Sequence, residues 1–401
     1  MVQDLALQRN KYKHLSDEEW RWFLQQVEGR ERTADKLPTF AAIDDWWYPV
    51  RLSCEQCSSE ATARYKASLC QRSGLSAERS LLDLTGGYGV DTYFLSEHFN
   101  HTDYVEQNAE LCRIAAHNFQ RPTPTLPKGK EIYVHNTTAE EFLKDHLSAI
   151  SNHLYDLIFL DPARRDSHGG KVFKLADCTP NVVELLPTLL SRLTPDGRIL
   201  LKLSPMIDLT QALKELSAVK WDAHIVAVKN EVKEVLLLSR YTDISRDRDL
   251  EPTITAIDLS KKEQVFTFTR EEEQATQTKM VNGTWSNGTW IYEPNAAILK
   301  AGAYKLVAQR FGLQKLDTNT HLYTSETLVP DFPGRVWKVK EPTPTLPKGK
   351  EIKQANVLVR NYPLTAEQLK KKLHLRDGGT EYVIGCRVAG KPTIFLADRL
   401  Q

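Results

Sequence analysis

Leu82-Asp83-Leu84-Thr85-Gly86-Gly87-Tyr88-Gly89-Val90-Asp91 and, further along the chain, Leu157-Ile158-Phe159-Leu160-Asp161-Pro162-Ala163-Arg164-Arg165 share one design. Each is an apolar strand that breaks into polar chemistry at its C-terminal end, which in an open parallel sheet is where ligands bind. The glycines at 86, 87 and 89 let the chain leave a strand, turn tightly and begin a helix while the backbone stays open to a ligand. Working outward, short β-rich runs at 80–84, 103–106, 132–135, 155–160, 197–203, 223–228 and 234–239 alternate with helical patterns near 91–98, 108–119, 138–148, 180–193 and 208–218. That alternation predicts a parallel sheet with crossover helices. The connection Lys229 to Lys233 is too short for a crossover, so the last two strands are expected as an antiparallel hairpin at the sheet edge.

Before this core, Ser16-Asp17-Glu18-Glu19 reads as a capping box ahead of Trp20, Trp22, Phe23 and Leu24. Ser58 to Lys66 opens a further helix. This leader is either a helical cap on the sheet or a polar segment that touches substrate. The 401 residues carry a formal charge of only +1 and have room for two or three domains. Any nucleic-acid footprint must therefore be local. Residues 335–401 carry 14 Lys or Arg against 6 Asp or Glu, including Lys370, Lys371 and Lys372 on a helix at 365–374, which reads either as a phosphate-backbone footprint or as a solvated helix face. Antiparallel strands are expected over 252–270 and a helical pattern over 294–312. Six cysteines form no dense framework; Cys54 and Cys57 lack a second pair for zinc and read as reduced thiols at a helical start with Cys57 buried, so no structural metal is expected. No apolar run is long enough for a membrane span, and the protein is expected to be cytoplasmic. Pro122 to Ile132 recurs identically at Pro342 to Ile352, and its three prolines predict exposed loops. The pair Asn282-Gly283-Thr284-Trp285 and Asn287-Gly288-Thr289-Trp290 suggests a hairpin or loop.

In the first crevice, a carboxylate at Asp83 is unhelpful beside a phosphate and attractive beside an ammonium group. This favours S-adenosylmethionine over a nicotinamide dinucleotide. Glu106 ends the second strand where a carboxylate suits both ribose hydroxyls. Asn136 through Glu140 follow the third strand and could meet an adenine ring, although Thr138 and Glu140 equally suit a helix cap and its partner.

With these motifs in order, residues 80–240 resemble the class I S-adenosylmethionine-dependent methyltransferases: Asp83 to Gly89 match the first motif, Glu106 the acidic second-strand motif and Asp161-Pro162-Ala163-Arg164 the fourth. The wider chain, with Glu55-Gln56-Cys57-Ser58-Ser59-Glu60 and its basic end, resembles a Bacteroidetes group of methyltransferases with a ferredoxin-like region and a THUMP-like terminal domain. The resemblance implies an α/β, Rossmann-like seven-stranded domain at 76–243, an N-terminal helical domain at 1–75, a ferredoxin-like region at 250–323 and an RNA-binding THUMP-like domain at 324–401, the last two a small α+β part. It implies cofactor contacts from Asp83, Thr85, Gly86, Gly87, Gly89, Glu106, Asn136 and Thr138, and catalytic roles for Asp161, Pro162 and Arg164. Amino-methylating relatives follow the acid or amide with two prolines and an aromatic; here Ala163 and Arg164 stand instead. The motif also resembles that of RNA uracil C5-methyltransferases, but the nucleophilic cysteine which that chemistry needs is missing. Transfer to a nitrogen or oxygen of structured RNA, tRNA or rRNA, is therefore expected, with Asp161 orienting the acceptor and Arg165, Lys202, Lys370, Lys371 and Lys372 binding substrate. Lys171 and Lys174 are weaker candidates. A small-molecule or protein methyltransferase and a non-catalytic RNA-binding scaffold stay open as alternatives.

Overall fold

Ser80–Asp83 (β1) runs between two parallel neighbours, His101–Glu106 (β2) and Tyr155–Leu160 (β4). Glu131–Asn136 (β3) lies parallel beyond β2, and Leu193–Leu203 (β5) parallel beyond β4. Leu81, Leu82, Ile158, Phe159, Leu160, Ile199, Leu200 and Leu201 are buried, as strands covered on both faces must be. The strand order reverses beside β1, so the turns leaving β1 and β4 open onto one crevice.

The computed structural model describes residues 9–71, 78–121, 130–148, 153–164, 174–240, 251–260, 262–282, 289–343 and 352–400. They form two compact units, Met1–Asp222 with Val235–Leu250, and Ala223–Glu234 with Glu251–Gln401. Every predicted strand of the α/β region occurs. Trp221–Val228 (β6) and Glu231–Ser239 (β7) are joined through Lys229 and Asn230 alone, both at positive φ, 53° and 61°. The five-residue connection expected from the sequence is thus shorter, because two left-handed residues suffice for a hairpin turn that matches strand twist. Val235–Leu238 run antiparallel to Leu200–Leu203, but the hairpin is not at the sheet edge as expected, because Ala223–Ala227 pair in parallel with Ile254–Asp258 on their other side. Among the described residues, no helix is long and apolar enough to cross a membrane.

In the leader, Ser16 and Glu19 make the expected capping box on helix Asp17–Thr33. Leu37, Phe40, Trp46 and Tyr48 pack with Tyr88, Val90, Tyr93, Phe94 and Ile114 of the α/β layer. Trp46 Nε1 donates to Tyr88 Oη at 2.9 Å, so the polar tip of a buried indole is satisfied. At about 1.5–3 kcal/mol for each large apolar side chain removed from water, this cluster is what fixes the leader to the sheet's helices. Of the pair Cys54 and Cys57, Cys54 is buried, whereas Cys57 is half-buried and follows the end of helix Arg51–Gln56 instead of being buried at a helical start.

The second unit contains Thr253–Asp258 (β8) and Gln264–Thr269 (β9), antiparallel as predicted. It also holds a sheet built from Trp290–Pro294 (β10), Gln314–Lys315 (β11), Tyr323–Ser325 (β12), Gly334–Thr343 (β13), Asn356–Arg360 (β14), Glu381–Val388 (β15) and Lys391–Arg399 (β16). Their order is β11-β12-β10-β13-β16-β15-β14. Trp337, Ile384, Phe395 and Ala397 lie in its core. Buried Glu293 sits between Arg335, 3.1 Å away, and Arg360, 2.5 Å away. The duplicated proline segment does not begin as a loop here. Pro342 and Thr343 pair with Phe395 and Ile394, past an irregularity between Val339 and Glu341 and beyond the reach of β10, so proline's missing donor costs no ladder bond on that side. Trp290 likewise begins a strand. Residues 344–351 of the second copy, residues 122–129 of the first copy, residues 283–288, Arg165 and Lys171 lie outside the described residues.

Candidate active site

A cleft of about 410 Å³ opens where β1, β2 and β4 end, within the usual size of small-molecule sites. Gly86 to Gly89 form its floor. A Cβ on Gly86 would stand 2.1 Å from the Tyr104 ring, and one on Gly89, at φ 83°, would stand 2.7 Å from Phe119. At Gly87, φ is 57° and the nearest atom to an added Cβ is 3.9 Å away, so this peptide faces open space. Glu106 is held by the same loop. One carboxylate oxygen accepts from Gly87 N at 2.9 Å and the other from Asn108 N at 2.7 Å, leaving further lone pairs for a diol.

The far wall carries a chain of four charges. Lys66 Nζ, fully buried, lies 3.1 Å from one oxygen of Asp91, and Ser58 Oγ donates to the other at 2.7 Å. Lys202 Nζ lies 3.5 Å from Asp91 and donates to Asp161 Oδ2 at 2.6 Å. Two ammonium groups thus alternate with two carboxylates, which makes the burial tolerable. Burial pushes the Asp91 pKa up, but Lys66 and Lys202 outweigh it and hold the group below its ordinary value. Asp161 ends in solvent, its side chain 40% exposed, and its backbone N–H donates to Thr85 Oγ1 at 2.6 Å. The glycine loop after β1 and the loop after β4 are therefore joined directly.

Thr85, Gly86, Gly87, Gly89, Glu106, Thr138, Asp161 and Lys202 all line the cleft. Asp83 does not. It is 1% exposed, accepting from Thr85 N at 2.9 Å and Thr92 Oγ1 at 2.5 Å, and burial pushes its pKa up to about 7. The carboxylate that faces the cleft from this end of β1 is Asp91. Asn136 is exposed but does not line the cleft; its amide donates to the carbonyls of Glu106 and Gln107 at 3.0 and 3.1 Å. Thr138 does cap helix Ala139–Ser148, but its partner is Glu141, not Glu140. Pro162 is buried and does not line the cleft, and the backbone of Ala163–Arg164 pairs with Cys178–Thr179. Lys370 is occupied by Asp377 at 2.7 Å and Glu367 at 3.4 Å, whereas Lys371 and Lys372 are exposed.

Sequence reasoning missed Asp91, Lys66 and Ser58. A signal existed: Thr62, Ala63, Lys66 and Ala67 lie at helical spacing on one buried face, and a lysine on such a face requires a buried anion. Ser53, Gln56, Cys57 and Ser58 also line the cleft, so the leader both caps the sheet and contributes to the site. Burial pushes both the Cys57 and Cys54 thiols up, Cys54 to about 12, which leaves them poor nucleophiles.

A family model for a ferredoxin-like domain matches residues 290–333, and one described as THUMP domain-like matches residues 334–399. No curated protein matches the chain. Among solved structures, a candidate methyltransferase from Porphyromonas gingivalis W83 is 33% identical, with 96% of this chain and 92% of that one covered at a TM-score of 0.80. Weaker partial likenesses extend to human methyltransferase-like protein 13 in complex with SAH (22% identity, 47% and 84% covered, TM-score 0.36) and to a SAM-dependent methyltransferase from Agrobacterium tumefaciens (18% identity, 37% and 46% covered, TM-score 0.29).

Proposed function

Because the chain belongs to the family of the Porphyromonas gingivalis protein, we propose that it is an S-adenosylmethionine-dependent methyltransferase acting on structured RNA, tRNA or rRNA, at a nitrogen or oxygen atom. The observation that carries this reading is the convergence on one cleft of an open glycine loop, the Glu106 carboxylate and the Lys202–Asp161 pair. The residues fit the cofactor. Glu106 offers acceptors for two ribose hydroxyls, Gly87 leaves its side of the loop clear, and Asp91 lines the cleft as a carboxylate held by Lys66 and Lys202. Bound S-adenosylmethionine supplies an electrophilic methyl group.

The chain's own residues then bind and orient. Ion-paired to Lys202 and anchored through its N–H to Thr85, Asp161 presents carboxylate oxygens that accept a hydrogen from the incoming N–H or O–H group. This fixes the nucleophile's lone pair for in-line approach, an orientation effect that does not require Asp161 to take the proton. Lys202 neutralises charge beside the acceptor. The RNA half rests on the THUMP domain-like match and on the exposed Lys371 and Lys372. The proposed domains are the helical leader at 1–75, the catalytic domain at 76–243, the ferredoxin-like region at 250–323 and the THUMP-like region at 324–401.

The test is transfer of labelled methyl groups from S-adenosylmethionine to fractionated tRNA, rRNA, protein and small-molecule pools, beside an Asp161→Ala control. Label in RNA that disappears with the variant is the expected result; label confined to another pool overturns the RNA assignment. Calorimetry with S-adenosylmethionine tests the cofactor separately.

A further inference from the structure

At the opposite end of β1, β2 and β4, away from the cleft, lies a cluster the methyl-transfer reading does not use. Asp103, buried in β2, accepts on Oδ2 from His101 Nε2 at 2.8 Å and from Tyr155 Oη at 2.8 Å. Its Oδ1 meets His135 Nε2 at 2.7 Å. His153 approaches from the segment entering β4, its ring centroid 5.0 Å from that of His101 and 4.8 Å from that of Tyr155. One nitrogen from each of His101 and His153 and one Asp103 oxygen lie within 4.8 Å of one another.

We propose that His101, Asp103 and His153 form a binding site for a divalent transition metal of the zinc type. Two imidazoles and a carboxylate are the donor set such ions prefer, and three protein ligands leave a fourth position for water. The carboxylate is already oriented by groups outside the set: His135 holds Oδ1 and Tyr155 donates to Oδ2, the supporting shell that metal sites characteristically have. Metal–nitrogen bonds of about 2.0–2.1 Å in a tetrahedron put ligand atoms roughly 3.4 Å apart. Closing the observed 4.8 Å span therefore asks for a shift of about 1.4 Å, within reach of a turn of the His153 ring. His101 and His135 are about one-third exposed, which gives the ion a way in. Because His101 starts β2 and His153 precedes β4, the ion would clamp two strands that flank β1.

The experiment titrates the full chain with CoCl2, followed by visible absorption, and with ZnCl2, followed by calorimetry. One equivalent is expected to bind and to give d–d bands typical of nitrogen and oxygen ligands. Binding should weaken at least tenfold in His153→Ala and in His101→Ala, and survive in Cys54→Ser/Cys57→Ser. His153→Ala leaves Asp103 its other partners, and its circular dichroism should match the parent's. Absence of binding, bands unchanged in His153→Ala, or binding lost only in the cysteine variant would each overturn the proposal.

Discussion

Replacing Asp83 with asparagine tests how the β1 end is built. In the folded chain burial pushes Asp83 up to about 7, while an unfolded aspartate titrates near 3.9. The folded state therefore keeps a proton that the unfolded state releases. The stability associated with this proton is complete below about pH 4 and is lost as pH rises to about 7, at roughly 1.4 kcal/mol per pH unit. The full span is worth about 4 kcal/mol, and at 1% exposure solvent screening hardly reduces it. A carboxamide at this position cannot ionise, and Thr92 and Thr85 N can still meet it. The stability of Asp83→Asn relative to the parent should thus grow by about 2–3 kcal/mol between pH 5 and pH 8, read by urea unfolding with tryptophan fluorescence. A difference independent of pH would refute the reasoning. It would also restore the simpler view, in which an ionised Asp83 attracts an ammonium group.

Glu106→Ala removes the acceptor for a diol and should raise the S-adenosylmethionine Kd about 10- to 100-fold by calorimetry, since hydrogen bonds to charged groups contribute about 1.5–3 kcal/mol. Gly86→Ala drives a methyl into the Tyr104 ring and should cost about 1–3 kcal/mol in urea unfolding, with partial recovery in Gly86→Ala/Tyr104→Leu; an unchanged midpoint would contradict the packing. Lys66→Met strips Asp91 of its most buried partner and should cost about 3–5 kcal/mol, while Lys66→Met/Asp91→Asn recovers most of it. Equal loss in both variants would show that packing, not charge, dominates there.

The sheet is legible in the sequence because its strands are buried on both faces, and such runs as Leu157–Leu160 leave no other reading. Gly86, Gly89 and Glu106 are legible for a similar reason: a strand end, a tight turn and a carboxylate follow one another locally. Asp83 misleads because sequence position gives the end of a strand but not which way a side chain turns, and Thr92 nine residues later draws it inward. Lys66 and Asp91 meet across 25 residues, a pairing that only tertiary packing creates. The hairpin turn reads as too long because Glu231 and Lys233 look like loop residues, although they are exposed first positions of a strand that is buried from Glu234 onward.

The hydrogen bond from Asp161 N to Thr85 Oγ1 has a kinetic consequence. A ligand that orders the glycine loop also fixes Thr85, and with it the first residue of the acceptor loop, before any acceptor arrives. The second substrate would then meet a platform whose entropy of ordering has already been spent, so that the two partners should bind in sequence, cofactor first, and help one another energetically. Amide exchange at Asp161 is the natural reporter: it should slow when cofactor alone is added, and cease to respond once Thr85 is replaced by valine.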